Sequence, residues 1–194
     1  MTAILVTGMS GVGKSTVLGH LGKRGYQVVD TDDGGWIEHS PLPDGTAGEP
    51  LWREDRIDAL LTDHERSGEP LFLAGTVMNQ GVFHARFTEI VLLSAPLPVM
   101  LERVAARTGN PFGNSAEDRE RIVADTVEVE PLLRASATVE IDTRGPVAEV
   151  VERLTLLAGA PPASRTQRGG APSGGLSRAP DRARPGCTSA TPPR

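Results

Sequence analysis

The amino-acid sequence predicts a three-layer α/β domain in which helices cover both faces of a five-stranded parallel sheet. Short segments such as Ala3–Thr7 and Glu89–Ser94 are mostly apolar, which is typical of parallel strands buried on both faces. Segments with apolar residues at helical spacing alternate with these strands along the chain. A glycine-rich turn directly follows the first strand and leads into the first helix. These three observations give the fold class.

The individual elements follow from apolar spacing and from the residues that begin or end each segment. Strands are predicted, in chain order, at Ala3–Thr7, Tyr26–Val29, Leu71–Ala74, Glu89–Ser94 and Thr138–Ile141. Helices are predicted at about Lys14–Lys23, Arg53–Arg66 and Leu97–Arg107, after the capping residue Ser115, and at about Pro146–Leu157. Residues 34–50 are rich in glycine and proline and are predicted to form a loop.

The C-terminal part of the chain differs in composition from the rest, so we expect two regions. Residues 1–159 are predicted to form the folded domain, and residues 160–194 a disordered tail rich in proline, glycine and arginine. Residues 161–194 contain six arginines and one acid, which leaves residues 1–160 with 14 basic and 24 acidic residues and a formal charge of −10. A body of this charge repels nucleic-acid backbones, so we do not expect the folded domain to bind nucleic acid.

The cellular location is predicted from the cysteine content and from the apolar segments. The single cysteine, Cys187, cannot form an internal disulfide, which fits a reducing compartment. No basic leader precedes the first strand, and no apolar run approaches the roughly 18 residues of a membrane span. We therefore expect a cytoplasmic protein that is not bound to a membrane.

The turn after the first strand matches the phosphate-loop pattern G-x-x-x-x-G-K-[ST] from Gly8 to Ser15. Glycines let the backbone turn tightly and direct its N–H groups at phosphate oxygens, and the positive end of the next helix points into the same space. Lys14 can then reach the outer phosphates, and the Ser15 hydroxyl can bind Mg²⁺. The sequence thus predicts a P-loop NTPase domain that binds ATP and Mg²⁺ through Gly8, Met9, Ser10, Gly11, Val12, Gly13, Lys14, Ser15 and Thr16.

Two large classes of nucleotide-hydrolysing protein are disfavoured because their motifs are missing. A GTPase should carry the guanine-binding segment N-K-x-D, which does not occur in the sequence. A motor or AAA-type ATPase usually has an apolar strand that ends in an acid, whereas Leu71–Ala74 is followed by Gly75. ATP is the expected nucleotide, although the sequence carries no local motif that selects adenine over guanine.

The chain resembles the small P-loop kinases, a group that includes shikimate kinase, gluconate kinase and the nucleoside-monophosphate kinases. The segment GKST, a helix and then VVDTD are similar to shikimate kinase, whose second strand ends in Asp-x-Asp. This resemblance implies that Asp30 helps to hold Mg²⁺ and that Asp32 meets the acceptor hydroxyl. The alternative, from the residues alone, is that this acidic turn caps a strand or a helix, because Asp favours turns.

Residues 101–107, LERVAAR, resemble the start of the lid region in these kinases. The resemblance implies that Arg103 lies against the adenine ring and that Arg107 reaches the transferring phosphate, with a short lid over Thr108–Asn114. A planar guanidinium suits both tasks, since it can stack on a ring and bind several phosphate oxygens. An amphipathic helix with a charged outer face is the alternative.

Residues 48–56, GEPLWREDR, resemble a segment of gluconate kinase. This resemblance implies that Arg53 and Arg56 lie near the acceptor. Gly75 takes the position of the three-glycine run that follows the third strand of shikimate kinase, and we expect it to contact the acceptor as well. The alternative for both arginines is pairing with acids on an exposed helix.

The sequence leaves the acceptor open, because His39 is displaced from the gluconate kinase motif and Val129 stands where shikimate kinase has an arginine. We predict an ATP-dependent phosphotransferase that moves the γ-phosphoryl group to a hydroxyl or phosphate group of a small molecule, with Lys14, Asp32 and Arg107 as catalytic residues. Phosphoryl transfer needs positive charge on the phosphates and a carboxylate that orients or deprotonates the attacking oxygen. The alternative is a nucleotide-binding regulatory protein that hydrolyses ATP slowly and docks a partner through its tail.

Overall fold

A five-stranded parallel sheet forms the centre of the computed structural model, which describes residues 2–41, 47–107, 112–113 and 115–160. Val6 of the central strand pairs with Ala74 on one side and with Val91 on the other. Because all five strands run in the same direction, their carboxyl ends meet at one edge of the sheet. In spatial order, the strands are β2 (Gln27–Asp30), β5 (Leu71–Ala74), β1 (Ala3–Thr7), β6 (Glu89–Ser94) and β7 (Val139–Asp142).

Helices pack on both faces of this sheet. Alternate residues of β1 point to opposite faces, so Ile4 and Val6 enter one apolar core while Ala3 and Leu5 enter the other. All four side chains are buried, which explains why the strand is apolar throughout. The helices are α1 (Lys14–Lys23), α2 (Glu54–Ser67), a 3-10 helix (Gln80–Arg86), α3 (Leu97–Ala106), α4 (Ala116–Glu128), α5 (Glu130–Ser136) and α6 (Val147–Ala158).

The two cores are built from different helices. On the face of Ile4, α1 and α6 supply fully buried side chains such as Leu21 and Leu154, and α3 and α5 add further apolar contacts. On the face of Leu5, α2 supplies Ile57 and the 3-10 helix supplies a buried phenylalanine. This three-layer arrangement confirms the predicted fold class.

The limits of the predicted strands and helices differ from the observed ones by no more than one residue. Tyr26 lies just before β2, where its ring packs edge-on against Phe72 at 5.3 Å and its hydroxyl donates to the Gly159 carbonyl at 2.7 Å. The predicted cap of α4 is present, since the Ser115 hydroxyl accepts a hydrogen bond from the Asp118 N–H at 3.0 Å.

The prediction of a loop over residues 34–50 is wrong, because two antiparallel strands, β3 (Ile37–Pro41) and β4 (Ala47–Trp52), form a hairpin there. Ile37 and Trp52 are paired across the hairpin and both pack into the core on the α2 face. This apolar face stabilises strands that their glycine and proline content disfavours. The 3-10 helix and α5 were also not predicted.

Two predicted segments lie mainly outside the described residues. Of the predicted lid, the structure describes Phe112 and Gly113, and of the predicted tail it describes Ala160. The division of the chain at residue 159 therefore stays a prediction. Among the residues that the structure describes, no helix has both the length and the apolar character needed to cross a membrane.

Candidate functional site

The phosphate loop connects β1 to α1 at the carboxyl edge of the sheet. Gly8 and Gly11 have φ angles of 142° and 90°, in the region that favours glycine. A side chain at Gly8 would place its Cβ 2.3 Å from the Leu93 carbonyl oxygen, and one at Gly11 would place it 2.5 Å from that of Met100. Both glycines are therefore required for the loop to pass close to β6 and α3.

The helix after the loop begins in a way that suits an anion. Its N-cap is Gly13, with a φ of 99°, so no side chain from that position covers the first N–H groups. The first turn of α1 contains no acidic residue. The positive end of the helix dipole is therefore not offset within that turn, which favours a phosphate group there.

Lys14 is half-buried at the start of α1. Its ammonium donates to the Gly8 carbonyl at 2.6 Å and approaches the Met9 carbonyl at 3.5 Å. Loss of water contact lowers the pKa of Lys14 below its usual value, and attraction to Asp32 and Asp30 partly opposes this shift. The cation of the loop is thus held near two carboxylates.

Those two carboxylates lie at the carboxyl end of β2. The Asp32 N–H donates to Asp30 Oδ1 at 3.2 Å, which makes a tight acidic turn. Thr31, between them, is buried and donates to the Ala74 carbonyl at 2.8 Å. Desolvation raises the pKa of Asp32 above its usual value, against the attraction of Lys14.

A cleft of about 840 Å³ brings the loop, Lys14 and the acidic turn together. Its volume lies within the range of about 300–1,000 Å³ that small-molecule sites occupy. Gly8 does not line it and contributes instead the carbonyl that holds Lys14. Of the predicted site residues, the cleft contains Met9, Ser10, Gly11, Val12, Gly13, Lys14, Ser15, Thr16, Asp30, Asp32, Arg103 and Arg107.

Arg103 on α3 and Arg107 directly after that helix line the cleft in different ways. Arg103 donates to the Thr143 carbonyl at 2.6 Å, to the Thr143 hydroxyl at 3.0 Å and to the Gly11 carbonyl at 3.4 Å. Its guanidinium therefore fixes the phosphate loop to the segment after β7. Arg107 donates to the Phe112 carbonyl, and its buried Nε has no partner within the described part of the chain.

One wall of the cleft was missed by the sequence analysis. Thr143, Gly145, Val147 and Val150 form it, between β7 and the start of α6. The signal that could have found them is topological, because ligands of open α/β sheets bind beyond the carboxyl ends of strands and the fifth strand ends just before Thr143. Asp33, which follows Asp32, also lines the cleft.

Of the residues predicted to contact the acceptor, Asp32 lines this cleft, whereas Arg53, Arg56 and Gly75 do not. Arg56 donates to the carbonyls of Gly34 and Gly35, at 3.0 and 2.6 Å, and lies 4.5 Å from the ring centroid of Trp36. Arg53 makes a distant ion pair of 3.9 Å with an acid of α2. Their contact with an acceptor stays a prediction.

Gly75 is buried at the carboxyl end of β5, where its N–H donates to the Val6 carbonyl at 3.2 Å. A Cβ at this position would lie 2.1 Å from the Thr31 hydroxyl and 3.1 Å from the Trp52 indole. The structure thus gives Gly75 a packing role under the hairpin, and its predicted acceptor contact is not tested. Asn79, which follows the same strand, is likewise bonded to the backbone of Trp52 through both its amide groups.

The donors in the cleft fit a magnesium ion that is bound together with phosphate groups. Ser15 offers a hydroxyl and Asp30 a carboxylate, and Mg²⁺ usually takes only one or two such protein ligands beside phosphates and water. Within the described residues no cluster of three or more His, Cys, Asp or Glu side chains could hold a metal by itself. A metal site here would therefore depend on the nucleotide.

Solved structures of two small-molecule kinases share this fold. A shikimate kinase from Acinetobacter baumannii in complex with shikimate matches with a TM-score of 0.54 and 21% identity, over 81% of this chain and 93% of that chain. A sugar kinase from Janibacter sp. HTCC2649 matches with a TM-score of 0.52 and 20% identity, over 81% of this chain and 94% of that chain. At such low identity these similarities show the fold alone. A comparison with curated proteins found no match.

The sequence itself matches one family model. The match covers residues 4–124, which include most of β1, the phosphate loop, the acidic turn, Arg103 and Arg107. This family is an AAA domain, and membership does not specify which reaction the site performs. The chain therefore belongs to the AAA_18 family, described as an AAA domain, and has the P-loop fold of the small-molecule kinases.

Proposed function

We propose that this protein transfers the γ-phosphoryl group of ATP to a small molecule. The observation that carries the proposal is the meeting of Lys14 and Asp32 in one cleft, at the end of a phosphate loop in which Gly8 and Gly11 are sterically required. In a kinase a carboxylate at this position can orient or deprotonate the acceptor hydroxyl beside the phosphates. The kinase-like fold of the structural neighbours supports the proposal.

The phosphate loop, Lys14, Asp32 and Arg107 have proposed roles in this reaction. The loop N–H groups and Lys14 bind the phosphates, and Arg107, whose buried Nε lacks a partner in the described chain, stabilises negative charge that develops during transfer. Asp32 accepts the proton of the attacking hydroxyl while the oxygen bonds to the γ-phosphorus and the bond to the leaving ADP breaks. Its raised pKa makes it a better base than an ordinary carboxylate.

Ser15 and Asp30 are the residues that we propose for the metal. Mg²⁺, when bound there, supplies positive charge to the phosphates and so helps ADP to leave. Asp30 is suited to this task because it lies in the same acidic turn as Asp32 and also lines the cleft.

We further propose that the acceptor group is a hydroxyl and not a phosphate. Asp30, Asp32 and Asp33 line one side of the cleft, and three carboxylates repel an acceptor that carries a phosphate. Arg56, the nearest predicted partner for such a phosphate, is held by two loop carbonyls and the face of Trp36. This leaves a neutral polyol, sugar or nucleoside as the favoured class.

Matched pairs of acceptors test this proposal. ADP release from Mg-ATP is measured with a sugar and its phosphate monoester, and with a nucleoside and its monophosphate, each against a sample without acceptor. We expect the hydroxyl member of one pair to raise the rate at least about tenfold and its phosphate partner to raise it little. Faster turnover with a phosphate member would reject a neutral acceptor while keeping the kinase.

A further inference from the structure

Thr76 is joined by hydrogen bonds to both backbone groups of Gly8. The Gly8 N–H donates to the Thr76 hydroxyl oxygen at 3.2 Å, and the same hydroxyl donates to the Gly8 carbonyl at 2.9 Å. Thr76 follows β5, whereas Gly8 is the first residue of the phosphate loop. One side chain therefore ties the start of the loop to the neighbouring strand, 68 positions away in sequence.

The Gly8 carbonyl has a second donor, the ammonium of Lys14 at 2.6 Å. A carbonyl oxygen can accept two hydrogen bonds, so both donors fit at once. A phosphate group competes for the protons of Lys14, and binding to it draws the ammonium away from the carbonyl. Gly8 is buried, so its carbonyl would then be left without a partner if Thr76 were absent.

The orientation of Thr76 is set by a second contact. Its hydroxyl lies 3.1 Å from that of Thr7, and because the Thr76 proton goes to the Gly8 carbonyl, the fully buried Thr7 hydroxyl is the donor of this bond. The side-chain oxygen of Gln80 lies 3.4 Å from the same Thr7 hydroxyl. Gln80 is also buried. A buried chain of polar groups therefore holds Thr76 next to the loop, where its hydroxyl can donate to the Gly8 carbonyl.

We propose that Thr76 is a positioning residue for nucleotide binding. It keeps the Gly8 carbonyl hydrogen-bonded when Lys14 turns to the phosphates, and so lowers the free energy needed to move the lysine. This inference rests on the proposed ATP site, and it assigns a role to a residue that the phosphate-loop motif does not contain.

A double-mutant cycle tests the proposal on the full-length chain. Dissociation constants for Mg-ATP are measured by calorimetry for the wild type, Thr76→Val, Lys14→Ala and the double variant. We expect Thr76→Val to weaken binding about tenfold in the wild type, but less than about twofold in the Lys14→Ala background, because no lysine then leaves Gly8. Equal losses in both backgrounds would show a merely structural role and overturn the proposal.

Three further measurements keep the result interpretable. Thr76→Ser retains the hydroxyl and should bind Mg-ATP to within about twofold of wild type. Thr155→Val removes a hydroxyl on α6 outside the cleft and should leave the dissociation constant unchanged. If Thr76→Val does not fold, Thr76→Ala replaces it in the cycle. A wild type that binds no Mg-ATP would overturn the proposed function and this inference together, whereas normal binding by Thr76→Val would overturn this inference alone.

Discussion

Lys14 and Asp32 each have a pKa shifted towards the neutral form of the group. Desolvation lowers the pKa of the lysine and raises that of the aspartate, and their mutual attraction only partly offsets it. For Asp32 the folded chain holds its proton more tightly than the unfolded chain does. Stability is therefore lost as the pH rises from the usual value of 3.8 through the raised pKa, and the ionised group is destabilising at neutral pH.

Replacement of Asp32 should separate activity from stability. We expect Asp32→Asn to lower turnover by about 100-fold or more, because the base is lost, while the melting temperature at pH 7 stays equal or rises. Asp33→Asn is the matched control, since Asp33 lines the same cleft but has no proposed role, and it should keep most activity. Equal losses for the two variants would show that Asp32 acts only through its charge.

The two cations near the cleft should differ in importance. Lys14→Ala should lower turnover by about 100-fold or more, because the group that binds the outer phosphates is removed. Arg53→Ala should lower it by less than about tenfold, because Arg53 makes only a distant ion pair and does not line the cleft. Steady-state rates at saturating ATP measure both, with melting temperatures as the folding control, and similar losses would contradict the role given to Lys14.

At the scale of single elements, the sheet was predictable and the hairpin was not. The three inner strands, β5, β1 and β6, are buried on both faces and appear in the sequence as apolar runs, whereas the edge strands β2 and β7 are only partly buried and have shorter apolar stretches. In the hairpin of β3 and β4, apolar residues such as Ile37 and Trp52 are separated by prolines, glycines and charges. Its strands are stabilised by the packing of Ile37 and Trp52 into the core on the α2 face. This packing is tertiary, so no local sequence pattern predicts it.

Trp52 connects the hairpin to the site. It is fully buried, and its indole N–H donates to the Thr31 hydroxyl at 2.9 Å, within the acidic turn. Its ring also covers Gly75, where a Cβ would come within 3.1 Å. The hairpin therefore supports the backbone that carries Asp30 and Asp32.

A methyl group at position 75 should disturb this packing. Gly75→Ala places a Cβ 2.1 Å from the Thr31 hydroxyl, and we expect a loss of about 1–3 kcal/mol in the free energy of unfolding. Gly81→Ala is the matched control, because a Cβ there meets no atom within 4 Å. Denaturant unfolding of both variants measures the difference. An unchanged stability for Gly75→Ala, together with weaker acceptor binding, would instead favour the contact with the acceptor that the sequence suggested.

At the scale of the whole molecule, the cleft combines segments that are distant in sequence. The phosphate loop and the acidic turn were predictable because each is a short motif whose residue types match their chemistry. The wall formed by Thr143, Gly145 and Val147 was not, because those residues carry no motif and are brought to the cleft only by the position of β7. The hydrogen bonds of Thr76 could likewise not be predicted, because they depend on the pairing of β5 with β1.

Two histidines should make the stability of the protein depend on pH. Burial lowers the pKa of His64 and of His84 below the usual 6.5, and one ring nitrogen of each lacks a partner among the described residues. Well above pH 6.5 both histidines are neutral in the folded chain and in the unfolded chain. As the pH falls through 6.5, the unfolded chain binds protons that the folded chain does not, so the stability decreases.

Melting temperatures at about pH 7.5 and 5.5 test this dependence. The wild type should melt at a lower temperature at the acidic pH, and His64→Leu should show a smaller difference than wild type, because one of the two groups is removed. His20→Leu, at an exposed position on α1, should leave the difference unchanged. A full pH dependence in His64→Leu would assign the effect to other groups.

The most direct test of the proposed phosphotransferase is acceptor-dependent release of ADP from Mg-ATP, measured for wild type and Lys14→Ala with one panel of sugars, sugar acids, nucleosides, monophosphates and aminoglycosides. We expect a single acceptor to raise the wild-type rate at least about tenfold above its rate without acceptor, while Lys14→Ala stays at the blank. A flat panel together with tight binding of ATP would contradict a kinase, and would favour a nucleotide-binding regulatory protein in the same fold.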